Sequence, residues 1–270
     1  MMVDVRTFDS LTDAAGALSA NRGARFLAGG TLVMRALNEG DQSIETIVRT
    51  SDPAFHSIHS QGDRVTIGAG VTMSQILASR ELEFLHPVAR LVGGPAIRTM
   101  ATIGGNLFAP HPYGDLTAAL LVAEATVAMA GGYSTRDMPL QDLLRDRERQ
   151  PAQLVASITV QRPRDPANLR FLKVTRVKPK GISILSIASA AAAGGRSIRV
   201  AYNGMGPVPM RALAVERALE GKALDAAGIA AALAVAAEGT SPADDAMASA
   251  WYRREVLPVH LKRLLLGEMA

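Results

Sequence analysis

The stretch Thr102-Ile103-Gly104-Gly105-Asn106 and the earlier stretch Ala28-Gly29-Gly30-Thr31-Leu32 decide the interpretation of this chain. Paired glycines let a backbone come close to a ligand and point its N–H groups at an anion. Each stretch also carries a threonine hydroxyl, so the pair predicts a diphosphate held from two sides. The first stretch matches neither the Walker loop nor the GxGxxG dinucleotide pattern. Taken alone, it is more typical of a tight strand-to-helix connection that binds no ligand.

The composition is that of a folded protein with two or three subdomains. The chain has 270 residues, of which 48% are apolar, and its net charge is +4. The sequence contains no cysteine, which excludes disulfides, thiolate-bound iron–sulfur clusters and a catalytic thiol within this chain and is compatible with the cytoplasm. The basic residues form no one-sign face with stacking aromatics, so we expect no nucleic-acid partner. The most apolar run, 116–130, is too short for a membrane span.

The order of predicted elements divides the chain at the proline-containing segment 161–166. Before it, Ser10 precedes a short helix, and a strand–turn–helix–strand order over 24–49 predicts a small parallel unit. Gly131-Gly132 is predicted to form a hairpin turn. After the division we predict a three-stranded antiparallel meander, with strands at 169–176, 182–193 and 197–203. Three helices follow, at 210–219, 225–237 and 246–266.

The ordered set of motifs resembles the FAD-binding medium subunit of molybdenum hydroxylases, the xanthine dehydrogenase and carbon monoxide dehydrogenase flavoprotein family. The resemblance covers nearly the whole chain, and the Ala-Thr-Ile-Gly-Gly-Asn segment is its most specific part. The residues that carry it are 28–32, 97–107, Asp115, 171–173 with Arg176, 203–212, 216–221 and 252–254.

This resemblance implies an α+β fold. It implies a two-lobed FAD-binding domain of the PCMH/VAO type at 1–163, with lobes at about 1–55 and 56–163. A C-terminal domain at 164–270, made of a three-stranded antiparallel sheet plus helices, would follow. FAD would lie between the two lobes.

The resemblance also implies the site residues. Asp115 would bind a flavin hydroxyl group, although the residue pattern alone is equally consistent with a helix cap. Val155 would lie near the cofactor through its backbone, Lys173 would approach the flavin, and Val92 matches a cofactor-adjacent position loosely. The diphosphate would be held by Ala28, Gly29, Gly30, Thr31, Leu32, Thr102, Ile103, Gly104, Gly105 and Asn106.

The implied function is that of an electron-transfer subunit with noncovalent FAD and no catalytic residue or metal ligand of its own. A small partner subunit with [2Fe-2S] clusters would deliver electrons from a large molybdopterin subunit, and an external acceptor would receive them. The assembly would be a cytoplasmic heterotrimer or its dimer. Two alternatives remain, a self-contained FAD-dependent oxidoreductase acting directly on a small molecule and a nonredox nucleotide-binding assembly module.

Some residues depart from the family pattern. The loop after Asn106 carries Phe108, His111 and Tyr113. Either aromatic side chain could stack near the isoalloxazine or pack against a partner, and His111 could touch the flavin or cap a turn. The covering loop 177–183, which includes Lys180, has no aromatic residue, so we expect a more open flavin. His56 and His59 have no ligand partners in the pattern and do not predict a metal site.

Overall fold

The computed structural model describes residues 3–131, 134–146, 154–178, 181–191 and 197–268. Its strands form three sheets, and helices pack between and around them. Within the described residues, no helix is both long and apolar enough to cross a bilayer. The fold is α+β, as the sequence predicts.

The first sheet is parallel, and its strand order is β1-β3-β2. Ser10 caps the first helix by accepting a hydrogen bond from the Asp13 N–H group, and the apolar face of this helix is buried. The predicted parallel unit is confirmed, and an edge strand that sequence reasoning missed extends it. The elements are β1 (Asp4–Phe8), α1 (Leu11–Ala20), β2 (Ala24–Phe26), α2 (Val33–Asn38) and β3 (Thr46–Thr50).

The second sheet is antiparallel, and its strand order is β4-β5-β8-β6-β7. Its strands are β4 (Ile58–Gln61), β5 (Arg64–Gly68), β6 (Thr126–Gly131), β7 (Ser134–Pro139) and β8 (Leu154–Gln161). The predicted turn at Gly131-Gly132 lies partly outside the described residues. Strands β6 and β7 do pair as a hairpin on either side of it.

In the part of the chain that the structure describes, six short helices accompany the second sheet. They are α3 (Met73–Ala78), α4 (His86–Ala89), α5 (Pro95–Arg98), α6 (Ile103–Leu107), α7 (Asp115–Val122) and α8 (Leu140–Asp146), together with two 3-10 turns at Pro53–His56 and Arg80–Leu85. Every residue of α7 is buried. An apolar helix without a polar face must be covered on all sides, and α7 accordingly contacts the third sheet as well.

The third sheet is antiparallel, with the order β12-β11-β10-β9. Its strands are β9 (Leu169–Thr175), β10 (Ser183–Ala191), β11 (Ile198–Asn203) and β12 (Met210–Arg211). Alternate residues face two separate cores, because side chains along a strand point in turn to opposite faces. Phe171, Ala188 and Ala201 face α7 and the second sheet, whereas Leu185 and Tyr202 face the C-terminal helices.

The C-terminal helices are shorter than predicted. They are α9 (Leu213–Leu219), α10 (Ala230–Ala234) and α11 (Ala250–Leu266). The first residues of the predicted helix at 210–219 instead form the edge strand β12. This strand pairs with β11 and makes the predicted three-stranded sheet four-stranded. The predicted helix at 225–237 is reduced to α10, and Gly228 lies before it in a turn where a Cβ atom would be 2.1 Å from the Ala223 carbonyl oxygen.

Candidate functional site

A cavity of about 490 Å³ lies where the three sheets meet. Its volume is in the range of small-molecule and cofactor sites. Every predicted site residue except Ile103 lines it. The side chain of Ile103 is instead fully buried in the apolar core. Tertiary folding therefore brings together two glycine turns that are distant in the sequence, and Asp115, Val155 and Lys173 line the same cavity.

The first glycine turn presents free main-chain amides. Within the described residues, no acceptor meets the N–H groups of the four positions from Gly29 to Leu32. Gly30 has a φ of +73°, which L side chains rarely adopt. Consecutive N–H groups of this kind, left without partners, form a nest that suits an anion.

Gly29 also joins the two turns in space. A Cβ atom at this position would lie 1.7 Å from the Met100 carbonyl oxygen and 3.2 Å from Thr102 Cγ2. Only glycine allows the backbones to approach so closely. The first glycine turn is therefore held against the segment that leads into the second.

The second glycine turn uses its own amides internally. The Ile103 N–H group donates to the Val71 carbonyl at 2.8 Å, and the Gly104 N–H group donates to the Ala69 carbonyl at 2.9 Å. The two amides that follow donate to Thr102, whose hydroxyl caps α6. The expectation that both turns offer free amides to a diphosphate is therefore wrong for the second turn, because neighbouring backbone has taken its donors.

The second turn still shapes the cavity wall. A Cβ atom on Gly104 would lie 2.7 Å from Ala69 Cβ, so only glycine fits against the residue that directly follows β5. Asn106 lines the cavity, and its Oδ1 atom accepts hydrogen bonds from Thr117. Its Nδ2 group has no partner among the described residues and remains available to a ligand.

Asp115 is buried rather than placed as a helix cap. Helix α7 is capped by Gly114, which has a φ of +102° and makes no side-chain cap bond. The Asp115 carboxylate accepts hydrogen bonds from Ser183 at 2.7 Å and Ser186 at 2.8 Å, and it lies 2.9 Å from Lys173 Nζ. The exposed fraction is 7% for both side chains of this ion pair. The helix-cap alternative is therefore excluded.

The residues that depart from the family pattern lie in different places relative to the cavity. Phe108 and Tyr113 line the cavity, and the Tyr113 hydroxyl lies 3.3 Å from Arg35 Nη1. His111 instead pairs with Asp245 at 2.7 Å and lies outside the cavity lining. In the covering loop, Lys180 lies outside the described residues.

Two features of the cavity lining were not assigned from the sequence. Ser183, which ends the covering loop 177–183, lines the cavity and contacts Asp115, a relation that no short-range pattern reveals. Gly93 lines it as well, with a φ of +57°, beside Val92, which also lies on the wall as the loose match predicted. The adjacent pair Gly93-Gly94 was the sequence signal for a third segment whose backbone could come close to a ligand.

His56 and His86 have structural partners. His56 Nδ1 lies 3.1 Å from the Gly70 carbonyl oxygen, and its ring meets Phe55 edge-on. His86 Nε2 lies 2.9 Å from the Ile76 carbonyl oxygen. Among the residues that the structure describes, no group of three or more acidic, histidine or cysteine side chains could hold a metal ion.

The chain is similar to known proteins over nearly its full length. It is 28% identical over 271 residues to the carbon monoxide dehydrogenase medium chain of Afipia carboxidovorans, covering 94% of this chain and 92% of that one. It is 26% identical over 262 residues to the glyceraldehyde dehydrogenase medium chain of Sulfolobus acidocaldarius, covering 93% and 92%. The reconstituted CO dehydrogenase from Oligotropha carboxidovorans superposes with a TM-score of 0.85 at 25% identity, covering 98% and 96%.

Two protein-family models together match nearly the whole chain. Residues 2–163 match the FAD binding domain in molybdopterin dehydrogenase, and residues 170–267 match the CO dehydrogenase flavoprotein C-terminal domain. The first match alone spans more than half of the chain. This chain therefore belongs to the family of FAD-binding domains of molybdopterin dehydrogenases, here followed by a CO dehydrogenase flavoprotein C-terminal domain.

Proposed function

We propose that this chain is the FAD-binding electron-transfer subunit of a heteromeric molybdenum hydroxylase. The observation that carries the proposal is the nest of unpartnered amides from Gly29 to Leu32 on the wall of a cavity, within the segment that matches the FAD-binding family. The bound FAD would accept electrons from [2Fe-2S] clusters of a partner subunit and reduce an external acceptor.

The residues present fit FAD. Free N–H groups of the first glycine turn suit the negative diphosphate, because an anion there receives several short charge-assisted hydrogen bonds. Asn106 Nδ2 adds a donor from the second turn. The apolar side chains of Val92 and Val155 and the ring of Phe108 offer surface for the planar parts of the cofactor.

We assign thirteen residues to cofactor binding as part of this proposal. The second turn contributes by shape and through Thr102 and Asn106 rather than by free main-chain donors, and Ile103 contributes by anchoring that turn in the core. Binding is noncovalent. The division into an FAD-binding domain at 1–163, with lobes at about 1–55 and 56–163, and a C-terminal domain at 164–270 belongs to the same proposal.

The proposed function also includes partner subunits and a cellular location. The similar proteins are named medium chains, which is the nomenclature of assemblies that also contain smaller and larger subunits. The partners we propose are a small [2Fe-2S] subunit and a large molybdopterin subunit, in a cytoplasmic heterotrimer or its dimer. No residue of this chain is assigned a catalytic role, since substrate oxidation belongs to the molybdopterin subunit.

Copurification tests the proposal. The chain is expressed together with its proposed partners, isolated through a tag on this chain, and analysed by absorbance spectroscopy and metal content. We expect a flavin that acid releases from the protein, with iron and molybdenum in the same complex. A colourless chain that takes up no FAD would favour the nonredox module. Substrate turnover by the isolated FAD-loaded chain would favour the self-contained enzyme.

A further inference from the structure

Arg253, near the start of α11, is the largest fully buried side chain in the described part of the chain. Its Nε–H group donates to the Ile184 carbonyl oxygen at 2.8 Å, and its Nη1 group donates to the carbonyl oxygens of Ala243 and Ala248. Its Nη2 group lies 2.9 and 2.8 Å from the two carboxylate oxygens of Asp245. A buried charge needs both a counter-ion and hydrogen bonds, so Arg253 fixes Asp245 in place.

The Asp245 carboxylate uses its two oxygens differently. Oδ1 also accepts hydrogen bonds from the N–H groups of Met247 at 2.8 Å and Ala248 at 3.0 Å. Oδ2 lies 2.7 Å from His111 Nε2, and these two residues are 134 positions apart in the chain. A carboxylate beside a guanidinium group stays ionised and can only accept, so His111 is the donor. His111 is therefore attached to a carboxylate that other residues already hold.

His111 belongs to the loop 108–114, which joins α6 to α7 and forms part of the cavity wall. The side chain of His111 does not line the cavity, but the loop contributes Phe108, Ala109, Pro112, Tyr113 and Gly114 to the lining. The Tyr113 N–H group donates to the Pro110 carbonyl oxygen at 2.8 Å, a hydrogen bond that closes the loop across His111. The position of His111 therefore affects the wall on both sides of it.

The loop 108–114 has contacts at both ends of the chain. Near its end, the Tyr113 hydroxyl lies 3.3 Å from Arg35 Nη1, and Asn203 of β11 donates to the Pro112 carbonyl oxygen at 3.1 Å. His111 adds the contact with the C-terminal segment 243–253. His111 departs from the family pattern, so the resemblance does not imply this contact. Loss of the His111 contact alone would loosen the loop without releasing it.

Resting on the FAD function proposed above, we propose that His111 is a positioning residue that fastens the loop 108–114 to Asp245, so that FAD binding in the cavity and docking of the segment 243–253 outside it stabilise each other. A wall that is ordered before the ligand arrives costs less free energy to order on binding. Coupling between two sites is reciprocal. His111 acts through the loop, and it makes no contact with the cofactor.

Two substitutions of His111 separate its hydrogen bond from its bulk. In the full chain, His111→Leu removes the donor, whereas the amide of His111→Gln still offers an N–H group to Asp245. We expect His111→Leu to raise the FAD dissociation constant about fivefold, at the low end of typical coupling between separate sites, and His111→Gln to restore most of the affinity. Equal losses in both variants would overturn the inference, because the effect would not depend on the hydrogen bond.

Hydrogen–deuterium exchange of the FAD-free chain tests the loop directly. His111→Leu should speed exchange in peptides that cover 108–117, and His111→Gln should restore the protection. Peptides from β5 and β8 should be unchanged in both variants and so report that the fold persists. Unchanged exchange of the loop in His111→Leu would overturn the inference.

The same measurement tests reciprocity. Saturating FAD should slow exchange in peptides that cover 243–253 of the unaltered chain, and this protection should be reduced in His111→Leu. Equal protection by FAD in the two proteins would show that the cavity and the segment 243–253 are not coupled through His111, which would overturn the inference.

The matched control is His59→Leu. His59 is an exposed histidine of β4 and does not line the cavity. This variant should keep its FAD affinity and its loop exchange, and a loss equal to that of His111→Leu would overturn the inference. Failure of the unaltered chain to take up FAD would instead overturn the proposed function. The exchange experiment without FAD still decides whether His111 positions the loop, so the two failures are distinguishable.

Discussion

Replacing Gly29 with alanine is expected to abolish tight FAD binding. The new Cβ atom would lie 1.7 Å from the Met100 carbonyl oxygen, whereas ordinary van der Waals contact begins at 3.4 Å. The obstacle is backbone rather than a flexible side chain, so one of the two segments has to move by more than 1 Å, roughly the difference between these distances.

The size of the effect follows from the amides that this movement displaces. A displacement of about 1.5 Å takes an N–H···O hydrogen bond from about 2.9 Å to well beyond its useful range. Hydrogen bonds to a charged group contribute roughly 1.5–3 kcal/mol each. Losing two of them at the first glycine turn would cost about 3–6 kcal/mol, which weakens FAD binding by roughly a hundredfold or more.

Titration of the deflavinated protein with FAD, followed by flavin fluorescence, measures this loss. Gly16→Ala is the matched control, because Gly16 lies within α1 and a Cβ atom there would meet nothing within 4 Å. The control should bind FAD normally and gain about 0.5–1 kcal/mol of stability from the better helix former. Normal FAD affinity in the Gly29→Ala variant would refute the assignment of the nest.

Three further outcomes are expected. Thr102→Ala should cost about 1 kcal/mol in urea unfolding, because the Gly105 N–H group loses its capping acceptor, and an unchanged midpoint would contradict this role. Tyr202→Phe should be neutral or stabilising by up to about 1 kcal/mol, because it removes a buried hydroxyl group that has no partner among the described residues. Burial of this phenol also raises its pKa. Thermal unfolding measures the change in stability, and marked destabilisation would show that the hydroxyl group has a partner after all. Burial raises the pKa of Asp245, but the hydrogen bonds that its carboxylate accepts from Arg253, the Ala248 N–H group, His111 and the Met247 N–H group together outweigh burial and hold the pKa below its usual 3.8. This stabilisation is present above about pH 4 and is lost as the pH falls through the lowered pKa, so Asp245→Asn should flatten the acid limb of the stability curve measured by chemical denaturation.

Much of the fold was predictable because its signals are local. Ser10 caps a helix through a hydrogen bond that spans three residues, and short apolar runs became strands of the parallel and antiparallel sheets. The C-terminal helices were predicted too long, because helical spacing says nothing about a competing edge strand such as Met210–Arg211. That strand depends on a neighbour elsewhere in the chain.

The candidate site was predictable as a set of residues and not as a set of roles. The family resemblance implied that both glycine turns, Asp115 and Lys173 belong to one site, and residues of all four line one cavity. It did not reveal that the Gly104 amide is taken by the Ala69 carbonyl. Nor did it reveal Ser183, because its contact with Asp115 joins residues that are distant in the sequence.

The sequence by itself determined the turns, the caps and the family to which the chain belongs, because these depend on residue types at short, fixed spacings. The tertiary structure alone decided which donors remain free for a ligand. A backbone amide or a carboxylate has a limited number of hydrogen bonds, and the partners that use them arrive from other sheets. The amides from Gly29 to Leu32 were left without partners among the described residues, whereas the Asp115 carboxylate accepts hydrogen bonds from Ser183, Ser186 and Asn203 of the third sheet.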